Sequence, residues 1–255
     1  MKNFPIEINN FIKGSNIEEI GIGCSNTKVY KISKQDSVCF LKVGKIPTLT
    51  KEYASLIWLN GKLPVPKCLF FCNDGNYEYL LTSSMSGEMS CSEKNLKSPQ
   101  KTIKLLAKGL IQLQKIEILE CPFRNDLTYK LGLAEYNVKN KLLKDTPTSA
   151  IGQKLKTYDE ILKYLLENKP DEQLVFSHGD TSLPNIFIKD KSISGFIDVG
   201  ECGVADKWFD IAICYNSIIR NFPNRNDLLK LFLNELHENY SDKIEYYITL
   251  LDLYL

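Results

Sequence analysis

The sequence predicts an α+β protein, with a β-rich amino-terminal part and a larger, mainly helical carboxyl-terminal part. Two observations predict it. Up to Gly87 the apolar residues alternate in short runs punctuated by Gly, Pro and Asn, and beyond Gly87 they recur about every 3.6 residues. A chain of 255 residues, at about 100 to 200 per domain, suffices for one large domain or for two lobes sharing a cleft.

Residues 17–22 and 28–33 read as strands joined through Gly21-Ile-Gly23-Cys-Ser25-Asn, where the glycines suit a tight hairpin turn. A third strand over 38–43 puts Phe40 and Lys42 on one face, Cys39 and Leu41 on the other. Over 52–60, Tyr53, Leu56 and Ile57 keep helical spacing, and Gly61 ends that helix. Pro64 and Pro66 break the chain before two more strands at 68–72 and 77–82. In the second part, 102–116 sets Ile103, Leu106, Leu110 and Leu113 opposite Lys104 and Lys108, and 158–166 and 227–239 carry similar stripes. Between these helices lies a strand-like island at 174–177, 186–189 and 194–198.

The charge balance removes several function classes. With 32 Lys and Arg against 31 Asp and Glu, the net charge of +1 produces no global field for a nucleic acid or an anionic membrane. The basic stretch 94–108 lacks interleaved aromatics and reads as one wet helix face. The amino terminus has no apolar signal segment and no run is long enough to span a bilayer, so a cytoplasmic address is expected. Cysteines 24, 39, 68, 72, 91, 121, 202 and 214 then read as free thiols, with no pairing deducible from spacing. Neither His178 nor His237 has a zinc-ligand partner at the right interval.

The chemistry is concentrated in the island. It reads Phe176-Ser-His178-Gly-Asp180-Thr-Ser-Leu-Pro-Asn185, then Phe196-Ile-Asp198-Val-Gly200. An Asp-x4-Asn element followed by Asp-x-Gly matches the parts list of kinase-type phosphoryl transfer. In-line transfer offers a protein little covalent work, so catalysis consists of placing the acceptor hydroxyl and neutralising phosphate charge. Asp180 is the candidate to orient that hydroxyl and accept its proton. Asn185 and Asp198 offer the hard oxygen donors that Mg²⁺ prefers. Lys42, on the third strand, can reach α- and β-phosphates, with Glu52 at the start of the next helix as its partner. Gly21-x-Gly23-x-Ser25 can cover the phosphates through backbone N–H groups and the Ser25 hydroxyl. No P-loop or complete dinucleotide-binding glycine signature occurs.

His178-Gly-Asp180-x4-Asn185, Gly195-Phe-Ile-Asp198-Val-Gly200 and Ala205-Asp-Lys-Trp-Phe-Asp210-Ile-Ala resemble the aminoglycoside phosphotransferases, and within them the 3'-phosphotransferase branch. Gly61-Lys-Leu-Pro-Val-Pro66, Thr27-Lys-Val-Tyr30 and the terminal Tyr246-Tyr-Ile-x-Leu-Leu-Asp252 extend the similarity over nearly the whole chain. The resemblance implies a bilobal, protein-kinase-like fold. Its nucleotide-binding lobe would span residues 1–87 with a linker near 82–87, and its helical lobe 88–255, with ATP in the cleft. Lys42, Glu52, Asp180, Asn185 and Asp198 fall on the family's phosphate lysine, its ion-pair partner, the catalytic aspartate and two metal ligands. Phe40 falls where a ring stacks on adenine, Ser83 and Met85 on the segment meeting the adenine edge, and Asp210 where a carboxylate braces the catalytic loop. The expected activity is ATP- and Mg²⁺-dependent transfer of the γ-phosphate to a hydroxyl of an aminoglycoside antibiotic, the 3'-hydroxyl, conferring resistance. GTP remains open as a donor, and no protein partner is implied.

Departures from the family pattern fall in the acceptor region. Residues 139–144 are lysine-rich where relatives are acidic, Leu253 replaces an acidic residue, Glu201 stands at a usual arginine and Arg220 at a usual acid. Glu201 and Arg220 could form a swapped ion pair, while Asp252 and the Leu255 carboxylate are the remaining candidates for cation contacts. Two alternatives follow: the same chemistry on a less cationic hydroxyl compound, or a catalytically weak, nucleotide-binding kinase-like module.

Overall fold

The computed structural model describes residues 4–20, 27–35 and 37–254. Contacts divide the chain into two compact units, Met1–Ser86 with Ser194–Gly200, and Gly87–Ile193 with Glu201–Leu255. Residues 194–200, read from the sequence with the carboxyl-terminal part, group with the first unit. There the Phe196 N–H donates to the Pro64 carbonyl at 2.9 Å and the Ser194 hydroxyl to the Ser86 carbonyl at 2.6 Å.

The first unit is an antiparallel sheet with helices. Its elements are α1 (Ile6–Ile12), β1 (Asn16–Ile20), β2 (Lys28–Lys34), β3 (Ser37–Lys45), α2 (Thr50–Leu59), β4 (Cys68–Asn73) and β5 (Tyr77–Ser83). Strand order is β1-β2-β3-β5-β4. Strict alternation in β3 sends Cys39 and Leu41 into a core with Ile8, Ile12, Tyr30, Ile32, Tyr79 and Leu81, the first two supplied by α1. The opposite parity leaves Phe40 and Lys42 partly exposed on the other face, as the alternation predicts. Helix α1 carried no periodic signal at the sequence level, because it is only about two turns long and is stabilised by Ile8 and Ile12 packing on the sheet.

The second unit holds β6 (Glu88–Met89), α3 (Glu93–Leu96), α4 (Pro99–Gln114), α5 (Leu127–Lys139), α6 (Ala150–Leu155) and α7 (Tyr158–Glu167). It continues with β7 (Leu174–Ser177), β8 (Ile186–Lys189), the start of β9 (Ser192–Phe196), β10 (Gly203–Asp206), α8 (Lys207–Asn221), α9 (Asn226–Glu235) and α10 (Lys243–Leu251). Helix α4 begins at Pro99, earlier than its apolar stripe, because proline is well placed in a first turn that needs no N–H. Its predicted stripe, Ile103, Leu106, Leu110 and Leu113, is buried. Strand β7 pairs with β10 rather than with β8, which pairs with β6.

Asp206, at the end of β10, ties this unit together. One carboxylate oxygen accepts the Gln173 and Trp208 N–H groups at 3.1 and 3.4 Å, and the other accepts the Tyr247 hydroxyl at 2.8 Å and the Lys243 ammonium at 3.3 Å. Trp208 packs in the core, and no described helix is long and apolar enough to cross a membrane. The seven described cysteines are free thiols.

Candidate active site

The first unit assembles a lysine between two carboxylates. Lys42 Nζ donates to Glu52 Oε1 and Oε2 at 2.7 and 2.8 Å and to Asp198 Oδ1 at 2.9 Å. Burial opposes the charge on Lys42, but Glu52 and Asp198 outweigh it and hold the ammonium above its ordinary pKa. Burial pushes the Glu52 carboxyl up, Lys42 pulls it down and Asp198 pushes it up again; its two short bonds to the ammonium are those of a carboxylate. Asp198 takes a left-handed backbone, φ 60°, which Asp tolerates better than most residues. The expected partners Lys42 and Glu52 are therefore in contact, and Asp198 joins them.

Phe40, two residues before Lys42 on β3, is half-buried, and its carbonyl sits 3.5 Å from the Thr82 hydroxyl. Ser83 is bound to Lys67 in both directions, N–H to carbonyl at 2.9 Å and Lys67 N–H to the Ser83 hydroxyl at 2.9 Å. Met85 packs against Gly195, where any Cβ would collide with its methyl end. Ser25, with Gly21 and Gly23, lies outside the described residues, as does Leu255.

The second unit holds the loop 177–185. Asn185 Nδ2 donates to the Asp180 carboxylate at 2.8 Å and to the Asp180 carbonyl at 3.1 Å, while Asp180 Oδ1 accepts the Ser182 N–H at 3.1 Å. With its nitrogen so engaged, Asn185 presents Oδ1 as its oxygen donor, which suits a hard cation, as does the Asp198 carboxylate. The 3₁₀ turn Leu183–Asn185 is held by the Ser217 hydroxyl, which accepts the Leu183 N–H at 3.0 Å. Ser90 donates to the Leu183 carbonyl at 2.7 Å.

Asp210 braces the loop, as the resemblance implied. Its carboxylate accepts the His178 and Gly179 N–H groups at 2.8 and 3.1 Å, and its carbonyl accepts the Thr181 hydroxyl at 2.6 Å. Burial pushes the Asp210 carboxyl up, while His178 and these N–H groups pull it back. His178 is buried, and its Nδ1 accepts the Asp180 N–H at 3.2 Å, a loop-packing position. Gly179 has φ 87°, and a Cβ there would run into the Glu201 carbonyl. His237 is exposed.

The acceptor-side candidates behave less uniformly. Asp252, a candidate for cation contact, is bonded within its own unit. Its Oδ1 accepts the Thr148 N–H at 2.7 Å and hydroxyl at 3.1 Å, and its Oδ2 accepts the Ser149 N–H at 3.1 Å and hydroxyl at 2.5 Å. The carboxylate thus ties the end of α10 to the start of α6. Arg220 and Glu201 are both exposed. Glu201 presents its carbonyl to the Asn125 amide, and Tyr254, half-buried beside Glu201 and Tyr129, is pushed above its ordinary pKa by burial first and by those neighbours second. Leu253, at the position of a lost acid, is fully buried. Sequence reading missed Asn125, which lies in no motif, and Glu78, whose one signal was a charge inside an otherwise apolar strand.

Comparison with known proteins agrees with this arrangement. Residues 16–241 match the model of the phosphotransferase enzyme family. An aminoglycoside 3'-phosphotransferase of Enterococcus faecalis is 37% identical over 249 residues, 91% of each chain. One from Niallia circulans is 35% identical over 255 residues, 98% of this chain and 97% of its own. The crystal structure of a type VIII aminoglycoside 3'-phosphotransferase superposes with a TM-score of 0.86 at 22% identity, over 97% of both chains. An aminoglycoside phosphotransferase of Streptomyces rimosus, solved with ADP and streptomycin, superposes with a TM-score of 0.75 at 19% identity, over 96% of this chain and 95% of that one. The two structures bear on the fold alone, but identity of this extent to the curated enzymes settles the family: the chain belongs to the phosphotransferase enzyme family, on its aminoglycoside 3'-phosphotransferase branch.

Proposed function

We infer that the protein transfers the γ-phosphate of ATP to a hydroxyl of an aminoglycoside, the 3'-hydroxyl, and so confers resistance in the cytoplasm. The observation that carries this reading is the bond from Asn185 Nδ2 to the Asp180 carboxylate at 2.8 Å, in a chain 37% identical to a 3'-phosphotransferase. Asp180, half-buried and held at both oxygens, is the base that orients the acceptor hydroxyl and receives its proton as the P–O bond forms. Lys42, kept extended by Glu52, neutralises α- and β-phosphate charge. Phe40, Ser83, Met85 and Ser25 are assigned to the nucleotide on the strength of the family resemblance. Mg²⁺ held by the oxygens of Asn185 and Asp198 would supply charge neutralisation on the transferring phosphate. ADP release from Mg-ATP, measured across aminoglycosides bearing and lacking the 3'-hydroxyl, tests the reading; equal stimulation by both sets defeats the 3' assignment, and no stimulation by either defeats the acceptor class.

A second reading keeps the kinase chemistry and replaces the polycation with a less cationic hydroxyl compound. It is favoured by the engagement of Asp252 with Thr148 and Ser149, which withdraws a carboxylate from acceptor binding. Neutral sugars and singly charged amino alcohols in the same assay separate the two.

A further inference from the structure

Helix α2 carries Glu52 in its first turn, yet its own sequence provides no N-cap. The residue before the helix is Leu49, which makes no side-chain cap bond. The first N–H groups of a helix need acceptors, and Ser, Thr, Asp or Asn at that position normally supplies one. Here the acceptor comes from β5. Glu78 Oε2 accepts the Leu49 N–H at 2.6 Å and the Thr50 N–H at 3.0 Å, and its Oε1 accepts the Thr50 hydroxyl. Glu78 is 3% exposed, and no described ion pair includes it. Its negative charge is met by the N–H groups and positive end of α2.

The same turn is fixed from two other sides. Glu52 holds Lys42 at 2.7 and 2.8 Å, and a Cβ at Gly200 would come within 3.4 Å of the Glu52 Cβ, so the turn lies close against that glycine. On β5, Glu78 sits opposite Gly44 of β3, two residues beyond Lys42 on the same strand. One sheet therefore carries both the lysine and the carboxylate that anchors the helix bringing the lysine its partner.

We propose that Glu78 is a positioning residue for phosphoryl transfer: by capping α2 from β5 it sets the first turn so that Glu52 meets Lys42. The proposal rests on the reading of Lys42 as the phosphate lysine. Misplacing a positioning group by about 1 Å can cost on the order of a hundredfold in rate, so a loosened first turn is felt at the nucleotide. The acceptor hydroxyl and Asp180 do not depend on it.

A double-mutant cycle tests this, with Glu78→Gln and Glu52→Gln made singly and together and assayed with Mg-ATP and a 3'-hydroxyl aminoglycoside. Glu78→Gln should lower kcat/KM for ATP by about tenfold while the acceptor KM stays within about twofold. In the Glu52→Gln background the same change should cost less than about twofold, since its route to Lys42 is already cut. Thr50→Val removes a single bond to Glu78 and should shift kcat/KM for ATP the same way by a smaller factor, with Thr50→Ser close to wild type; this series serves if Glu78→Gln folds poorly. Equal losses from Glu78→Gln in both backgrounds, or a lowered Tm with kcat/KM for ATP unchanged, overturn the proposal. A Glu52→Gln enzyme with wild-type kcat/KM would instead defeat the reading of Lys42 and Glu52 on which it stands.

Discussion

The Asn185 amide donates to the Asp180 carboxylate at 2.8 Å, so one end of the 3₁₀ turn Leu183–Asn185 aims the group proposed to receive the acceptor's proton. The two residues form one device, in which the nitrogen side of the amide fixes the proposed base and its oxygen side is the proposed metal donor.

Removing either half should have a different signature. Asp180→Ala should lower kcat by about 10²- to 10⁴-fold, the range for loss of a positioned general base, while nucleotide affinity measured by titration calorimetry persists. Asn185→Ala should raise the Mg²⁺ concentration for half-maximal turnover by about tenfold or more. Wild-type turnover in the first variant would remove Asp180 from the reaction.

Gly179→Ala should fail through the backbone. Its left-handed φ of 87° costs a side-chain-bearing residue about 1–2 kcal/mol, and the collision with the Glu201 carbonyl adds to that. Thermal unfolding should show a lowered Tm together with lost activity. An unchanged Tm would mean that the loop tolerates a Cβ.

Asp252 can be assigned by separating stability from recognition. If it braces α6 and α10, Asp252→Ala should lower stability by about 1–3 kcal/mol, the cost of leaving buried donors unsatisfied. The KM values of acceptors with few and many amino groups should then change in parallel. A KM rise that grows with the number of amino groups would make it a cation contact.

Asp126 predicts an acid limb in the stability curve. Burial pushes its carboxyl up, but the Tyr129 N–H at 3.0 Å and the Arg124 guanidinium at 2.7 Å outweigh that and hold it below its ordinary value of 3.8. A carboxyl depressed in the folded state contributes stability above its unfolded pKa and loses it as the pH falls through the folded one. Asp126→Asn should therefore flatten stability below the ordinary carboxylate range while still capping α5, since Asn and Asp cap about equally well. An unaltered acid limb in urea titrations would point to other carboxylates.

Residues that act through their own chain neighbourhood were legible in the sequence. Lys42 followed from strand parity, Asp180 and Asn185 from a fixed interval, and the stripe of α4 from its period. What escaped was set by partners distant in sequence. Nothing near Leu49 announces a cap that arrives from Glu78, and Asp252 reads as a spare acid until Thr148 and Ser149 are folded against it. Residues 194–200 look like part of the following helical region, and it is partners distant in sequence, Pro64, Ser86 and Lys42, that attach them to the first unit. Complementary charges at two unusual positions, Glu201 and Arg220, say nothing about the distance between them.

The carboxylate of Asp206 has a genetic corollary. Its last two partners, Lys243 and Tyr247, both come from α10, 37 and 41 positions further along the chain. A nonsense codon between Asp206 and Lys243 would take both away and leave the carboxylate without its ammonium and hydroxyl partners, a loss worth several kcal/mol. Truncated alleles of this gene should thus be cleared as misfolded product rather than surviving as partial enzymes, however completely they encode the loop around Asp180.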